Sequence, residues 1–128
     1  MKLLLDTCTF LWAVRGDARL SSAAVALFRD PANEVYLSSV SAWEIAVKHR
    51  LGKLPLADPP AAYVPRERER HGIDALALDE AATLMLDKLP AVHTDPFDRL
   101  LVCQAIRHGL TLLTPDPSIH RYPVPAQW

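Results

Sequence analysis

Short apolar runs alternate along this chain with longer amphipathic ones. KLLLD (residues 2–6) reads as a buried strand, and TCTFLWAV, ended by Gly16, as a helix. SSAAVALFRD (21–30) carries serine caps and predicts a second helix. EVYLSS (34–39) predicts a strand and SAWEIAVKHRL (41–51) a helix stopped by Gly52. The stretch PLADPPAAYVPRERERHG is proline-rich, then charged, and gives the weakest signal. After it come a strand in IDALALD (73–79), a helix in EAATLMLDKL, a helix in PFDRLLVCQAIRH ended by Gly109, and a strand in TLLT (111–114). VPAQW, in the short proline-rich tail, reads as a final edge strand. All four glycines fall just past predicted helix ends, where a left-handed conformation is cheap for them.

Strands alternating with helices at these lengths imply a parallel sheet covered on both faces. No internal repeat and no linker divides residues 1–128, which reads as one α/β domain. Trp12, Trp43 and Phe97 are expected in its core.

Composition narrows the function classes. Half of the residues (50%) are hydrophobic and 23% are charged, as in an ordinary globular protein. The formal net charge of −1 provides no overall positive field, so nucleic-acid binding has to come from a local patch. Cys8 and Cys103 are too few for a disulfide framework and suggest a reducing compartment. MKLLLD is too short for a signal-peptide core, and no apolar run approaches the ~20 residues that cross a bilayer. A cytoplasmic protein is expected. No glycine is spared for a phosphate-cradling loop, and there is no G-x-G-x-x-G or Walker motif.

The chemistry lies in the acids. In open parallel sheets the ligand site lies beyond the carboxyl ends of the strands. Asp6 ends the first strand, and Asp116 follows TLLT closely. Glu44 and Asp98 stand in the first turns of their predicted helices. Each has a structural reading: Asp6 as an N-cap, Ser41-x-x-Glu44 as a capping box, Asp98 as a first-turn acid behind the Asp95-Pro96 cap, and Asp116 as a turn residue in TPDPS. Jointly they converge: the first and last cluster at one sheet edge, and helix N-termini aim the other two there. Carboxylates so placed repel unless a hard cation neutralises them. Oxygen ligation of that kind suits Mg²⁺ or Mn²⁺, and its usual task is phosphoryl chemistry.

LLDTCTFLWA, SSVSAWEIAVKHRLGKL, HTDPFDRLLVCQA and LTLLTPD together resemble PIN-domain proteins, specifically VapC-type toxins of bacterial toxin–antitoxin pairs. The resemblance runs from Lys2 to Trp128 in the same order. It implies a three-layer α/β/α fold with a central, mainly parallel sheet, and metal-dependent endoribonuclease activity. Asp6, Glu44, Asp98 and Asp116 match the family's metal-binding acids, and Thr114 the small hydroxyl residue before the last acid. Asp98 rather than Asp95 stands in the family frame that ends at Ala105. An RNA substrate, a small antitoxin partner, a homodimer and a higher assembly with the antitoxin are implied as well. The family often has histidine where Cys8 stands, so this position departs from the pattern.

Other residues support the site or stay outside it. Arg99 and His93 are possible substrate contacts beside Thr114, Arg99 through phosphate. Lys48, four residues after Glu44, reads as its helix ion pair. The histidines and cysteines lack zinc spacing. Arg66, Arg68 and Arg70, alternating with Glu67 and Glu69, read as a solvated face. Two rival readings are a haloacid-dehalogenase-type phosphatase, which lacks its D-x-D partner in Asp6-Thr7-Cys8, and a catalytically silent RNA- or protein-binding module.

Overall fold

A computed structural model describes residues Met1–Trp128. Strands β1 (Lys2–Leu5), β2 (Glu34–Ser38), β3 (Asp74–Leu76), β4 (Thr111–Leu113) and β5 (Ala126–Gln127) form one sheet in the order β3-β2-β1-β4-β5. Every neighbouring pair is parallel, so β1 lies at the centre of the sheet with β2 on one side and β4 on the other. The helices are α1 (Thr7–Arg15), α2 (Ser22–Arg29), α3 (Ser39–Arg50), α4 (Pro60–Arg70), α5 (Glu80–Thr83) and α6 (Pro96–His108).

The side chains of β1 alternate across the sheet and are buried on both faces. Leu3 and Leu5 join Phe10, Ala24, Ile45, Tyr63 and Val64 in one apolar cluster, which packs α1, α2, α3 and α4 on that face. Leu4 joins Leu101, Val102, Ala105 and Ile119 in a second cluster under α6. These two clusters make three layers, and they explain why KLLL reads as a continuous apolar run. Gly16 and Gly109 close α1 and α6 in the left-handed conformation expected of them.

Three expectations are corrected. First, α3 begins at Ser39, two residues before the predicted start, because Ser38 takes the cap. Its hydroxyl accepts from Val40 N at 3.0 Å and is also paired with the buried Gln104 side chain. Glu44 is therefore inside the helix, not in its first turn, and Ser41 makes no capping box with it. Second, Trp43 is 65% exposed. The buried positions of α3 are Val40, Ser41, Glu44 and Ile45, one stripe that leaves Trp43 on the opposite side. Phe97 packs against the core only in part, and Trp12 is half-buried outside it, meeting Trp128 edge to face at 6.0 Å. Third, EAATLMLDKL is helical only as Glu80–Thr83 and then tightens into a 3₁₀ turn, Leu84–Lys88. Leu84 and Leu86 are exposed there, so the segment has no buried face to sustain a longer helix. The charged stretch with the weakest signal forms α4, with Pro60 at its first position and Pro65 within it. No helix is long and apolar enough to cross a membrane.

Candidate metal centre

Because β1 and β4 are adjacent and parallel, the residues after them meet at the carboxyl end of the sheet, in its middle rather than at a lateral edge. Asp6 does two jobs there. Its Oδ1 accepts from Thr7 N at 2.7 Å and caps α1, while Oδ2 accepts from the Thr114 hydroxyl at 2.7 Å. Thr114 has no exposed surface, so the expected substrate contact is not available to it; its hydroxyl also accepts from Asp116 N at 3.1 Å. One buried hydroxyl thus ties the first acid to the last. Asp116 Oδ1 accepts from Ser118 N at 2.8 Å, which fixes the carboxylate at the turn.

Glu44 comes from α3 and is 5% exposed. Its Oε1 lies 2.7 Å from the Thr7 hydroxyl, which is also 2.9 Å from Ser41 Oγ. With one proton to give, Thr7 donates to the carboxylate and Ser41 completes the chain. Glu44 Oε2 pairs with Lys48 one helical turn on, as the spacing predicts. Burial opposes the Lys48 charge, but the Glu44 pairing prevails and raises its pKa. Thr7 and Ser41 carried no functional signal in the sequence beyond their place beside matched acids.

Asp98 is the third residue of α6 and 8% exposed. Asp95 caps that helix, accepting from Phe97 N at 2.8 Å and Asp98 N at 3.3 Å. The two aspartates of D-P-F-D have separate tasks. Asp98 Oδ2 is 2.9 Å from His93 Nε2, and that nitrogen is 3.8 Å from Asp116 Oδ2. His93, expected as a substrate contact, turns toward the acids. The ligand atoms of His93, Asp98 and Asp116 all lie within 4.8 Å of one another.

The electrostatics are unfavourable without a cation. Burial, then the charges of Asp6, Asp95 and Asp116, push the Asp98 carboxyl up to about 7 against the His93 hydrogen bond. Burial also raises Asp6, joined by Glu44 and Asp116, although Thr114 and Thr7 hydrogen-bond its charged form. Cys8 Sγ lies 3.8 Å from Asp6 Oδ2, and burial with that charge pushes the thiol up to about 12, so it remains protonated. Arg99 does not pair with the acids. Its side chain borders one hollow with Pro96 and Leu100 and another with His93 and Thr94, and its buried Nε has no hydrogen-bond partner.

The sequence matches the PIN domain over residues 3–125. The chain belongs to the PIN-domain family. Among PIN-domain relatives it is similar to Ribonuclease VapC22 of Mycobacterium tuberculosis, 31% identical over 126 residues, covering 96% of this chain and 95% of that one. It is also similar to Ribonuclease VapC16 of the same organism, 37% identical over 103 residues, covering 65% of this chain and 73% of that one. The fold is similar to that in the crystal structure of VapBC2 from Rickettsia felis bound to a DNA fragment from their promoter. That match has a TM-score of 0.73 at 16% identity and covers 99% and 98% of the two chains. DNA-bound VapBC from Salmonella typhimurium matches with a TM-score of 0.68 at 16% identity over 99% and 97% of the chains. The three-layer PIN arrangement expected from the sequence is the one observed, with every strand parallel.

Proposed function

We propose that this PIN-domain chain is a divalent-metal-dependent endoribonuclease, the toxin of a toxin–antitoxin pair, using Mg²⁺ or Mn²⁺. The observation that carries the reading is the gathering of Asp6, Glu44, Asp98 and Asp116 from separate elements, with Asp98 raised to about 7 by burial and by acid neighbours. A divalent ion would fit this donor set: carboxylate oxygens are hard ligands, and the ligand atoms of Asp98, Asp116 and His93 lie within 4.8 Å of one another. Relatives that are themselves VapC ribonucleases support the substrate class.

Asp6, Glu44, Asp98 and Asp116 would hold the ion directly or through water. Bound there, it would supply Lewis-acid neutralisation of phosphate oxygen and a lowered pKa for attacking water. The rest falls to the chain. Thr114 fixes Asp6 against Asp116, and Thr7 with Lys48 fixes Glu44. Arg99, with its unpaired Nε, contacts a phosphate flanking the scissile bond. Residues 1–128 act as one PIN domain, working in the cytoplasm where RNA is translated, as a homodimer and in a higher assembly with the antitoxin.

The antitoxin restrains the enzyme by occupying the cleft, and a basic side chain presented to these acids forks onto two carboxylates in place of the metal. The test has two arms. Purified protein is incubated with single-stranded RNA, with and without Mg²⁺ or Mn²⁺, beside a small phosphate monoester. RNA is cut only with metal, and the monoester releases no phosphate. In cells, expression slows growth, and co-expression of the neighbouring gene product restores it. Folded Asp6→Asn protein is harmless alone. If it were as toxic as the wild type, toxicity would not arise from this site, and a binding function would replace the nuclease.

A further inference from the structure

Beside Asp98 and Asp116 the acid cleft contains a nitrogen donor, the imidazole of His93. We infer that His93 is a direct ligand of the divalent ion through Nε2, making this a mixed nitrogen–oxygen centre with Asp98 and Asp116. The inference rests on the metal-dependent reading above and replaces the substrate contact expected of His93 from the sequence.

Spacing is the first argument. Donors at about 2.1 Å from one octahedral ion stand roughly 3.0 Å apart when adjacent and roughly 4.2 Å apart when opposite. His93 Nε2 is 2.9 Å from Asp98 Oδ2 and 3.8 Å from Asp116 Oδ2. The first separation is that of adjacent donors and the second lies between the adjacent and opposite values, so all three atoms fall within the span of one coordination shell.

The second argument is that the loop carrying it is held. His93 N donates to the Tyr122 hydroxyl at 3.0 Å, and that hydroxyl lies 3.4 Å from His93 O. Tyr122 is 4% exposed and follows the turn that begins at Asp116. One buried phenol thus locks the segment carrying His93 to the segment carrying Asp116. A ring serving only as a surface group has no need of such anchoring.

Charge supplies the third argument. A fifth carboxylate would add to the negative charge already gathered in Asp6, Glu44, Asp98 and Asp116, whereas a neutral imidazole adds a ligand and no negative charge. In the ion-free protein Nε2 lies 2.9 Å from Asp98 Oδ2. As a ligand, the ring would carry its single proton on Nδ1 and present the Nε2 lone pair to the metal. Imidazole suits transition metals, so the centre prefers Mn²⁺ to Mg²⁺ more strongly than four carboxylates alone.

The test uses the full chain and the metal alone, without RNA. Pulsed electron paramagnetic resonance of bound Mn²⁺ reads directly coordinated ¹⁴N, and titration gives Kd for Mn²⁺ and Mg²⁺. The wild type shows the ¹⁴N coupling. His93→Gln, folded by circular dichroism, loses it; its Kd for Mn²⁺ rises about tenfold or more, and its Kd for Mg²⁺ rises less. Mn²⁺ bound by the wild type without ¹⁴N coupling, or unchanged metal selectivity in His93→Gln, overturns the inference while leaving the nuclease reading intact. Coupled Mn²⁺ in a protein that cuts no RNA supports the inference and counts against the nuclease reading. A wild type that binds no Mn²⁺ overturns both.

Discussion

Two regions of this molecule bury carboxylates, and they surround them with opposite company. Glu67 on α4 is 6% exposed, and nitrogens of Arg66, Arg70 and His71 stand 3.5, 3.5 and 3.7 Å from it. Asp6, Glu44 and Asp98 are buried to a similar degree, but they face one another and Asp116. Their one ammonium partner is Lys48 on Glu44, and Asp98 has the imidazole of His93 beside it. The Glu67 group is local, drawn from neighbouring turns of one helix, whereas the acid cleft draws on residues far apart in the chain. An acid kept for structure brings its countercharge with it. An acid kept among acids is held, at some cost in stability, for a cation that arrives from outside.

Asp98→Asn tests that contrast with the largest effect. Cleavage at saturating metal should fall by about a thousandfold, since the charge that holds the ion is gone. In EDTA the same protein should melt at the wild-type temperature or a few degrees above it, because repulsion is relieved. A clear loss of metal-free stability would erase the distinction between the two regions.

The second effect is in pH. Asp98 has a folded value of about 7 against an ordinary 3.8, so between these the native state retains a proton that the unfolded chain has released. Its contribution is fully present below the ordinary value and is lost as pH rises through the folded one. Thermal melts in EDTA should show stability declining from about pH 4 to about pH 7, and the decline should be shallower in Asp98→Asn. Identical slopes in the two proteins would rule out Asp98 as the source.

Glu67→Gln sharpens the other side. Its arginine partners are 46% and 68% exposed and can be rehydrated, so the loss should be about 1 kcal/mol in denaturant unfolding. RNA cleavage should stay within about twofold of the wild type, since Glu67 belongs to a structural ion group. The smallest effect is expected of Asp95→Asn, which preserves a competent cap and should leave both stability and cleavage nearly unchanged. Activity lost to the same extent as in Asp98→Asn would merge the two roles in D-P-F-D.

Periodicity made the sheet strands and the long helices legible, because β1 is apolar on both faces and α1 and α6 end in glycines with positive φ. It failed where several serines compete for one cap, as in SSVS, and where apolar residues such as Leu84 and Trp43 are left exposed by the packing. The four acids were legible by position and by family likeness. Thr114 was legible as the small hydroxyl before the last acid, but its bond to Asp6 and the part played by Thr7 were not, because a hydrogen bond between distant residues leaves no spacing to read. His93 was seen as a neighbour of the site, but its direction depends on Tyr122, which approaches from a distant part of the chain.

The hydrogen bond from Thr114 to Asp6 spans 108 residues. The ribosome makes Asp6 108 residues before Thr114 and cannot deliver that partner until β4 has emerged. Until then β1 lacks its β4 neighbour, and Asp116 has yet to arrive. At about 5–20 residues per second, that interval is on the order of ten seconds. A nuclease wired in this way is inert toward the messenger and the ribosome that are producing it, and that interval is open to an inhibitor translated alongside.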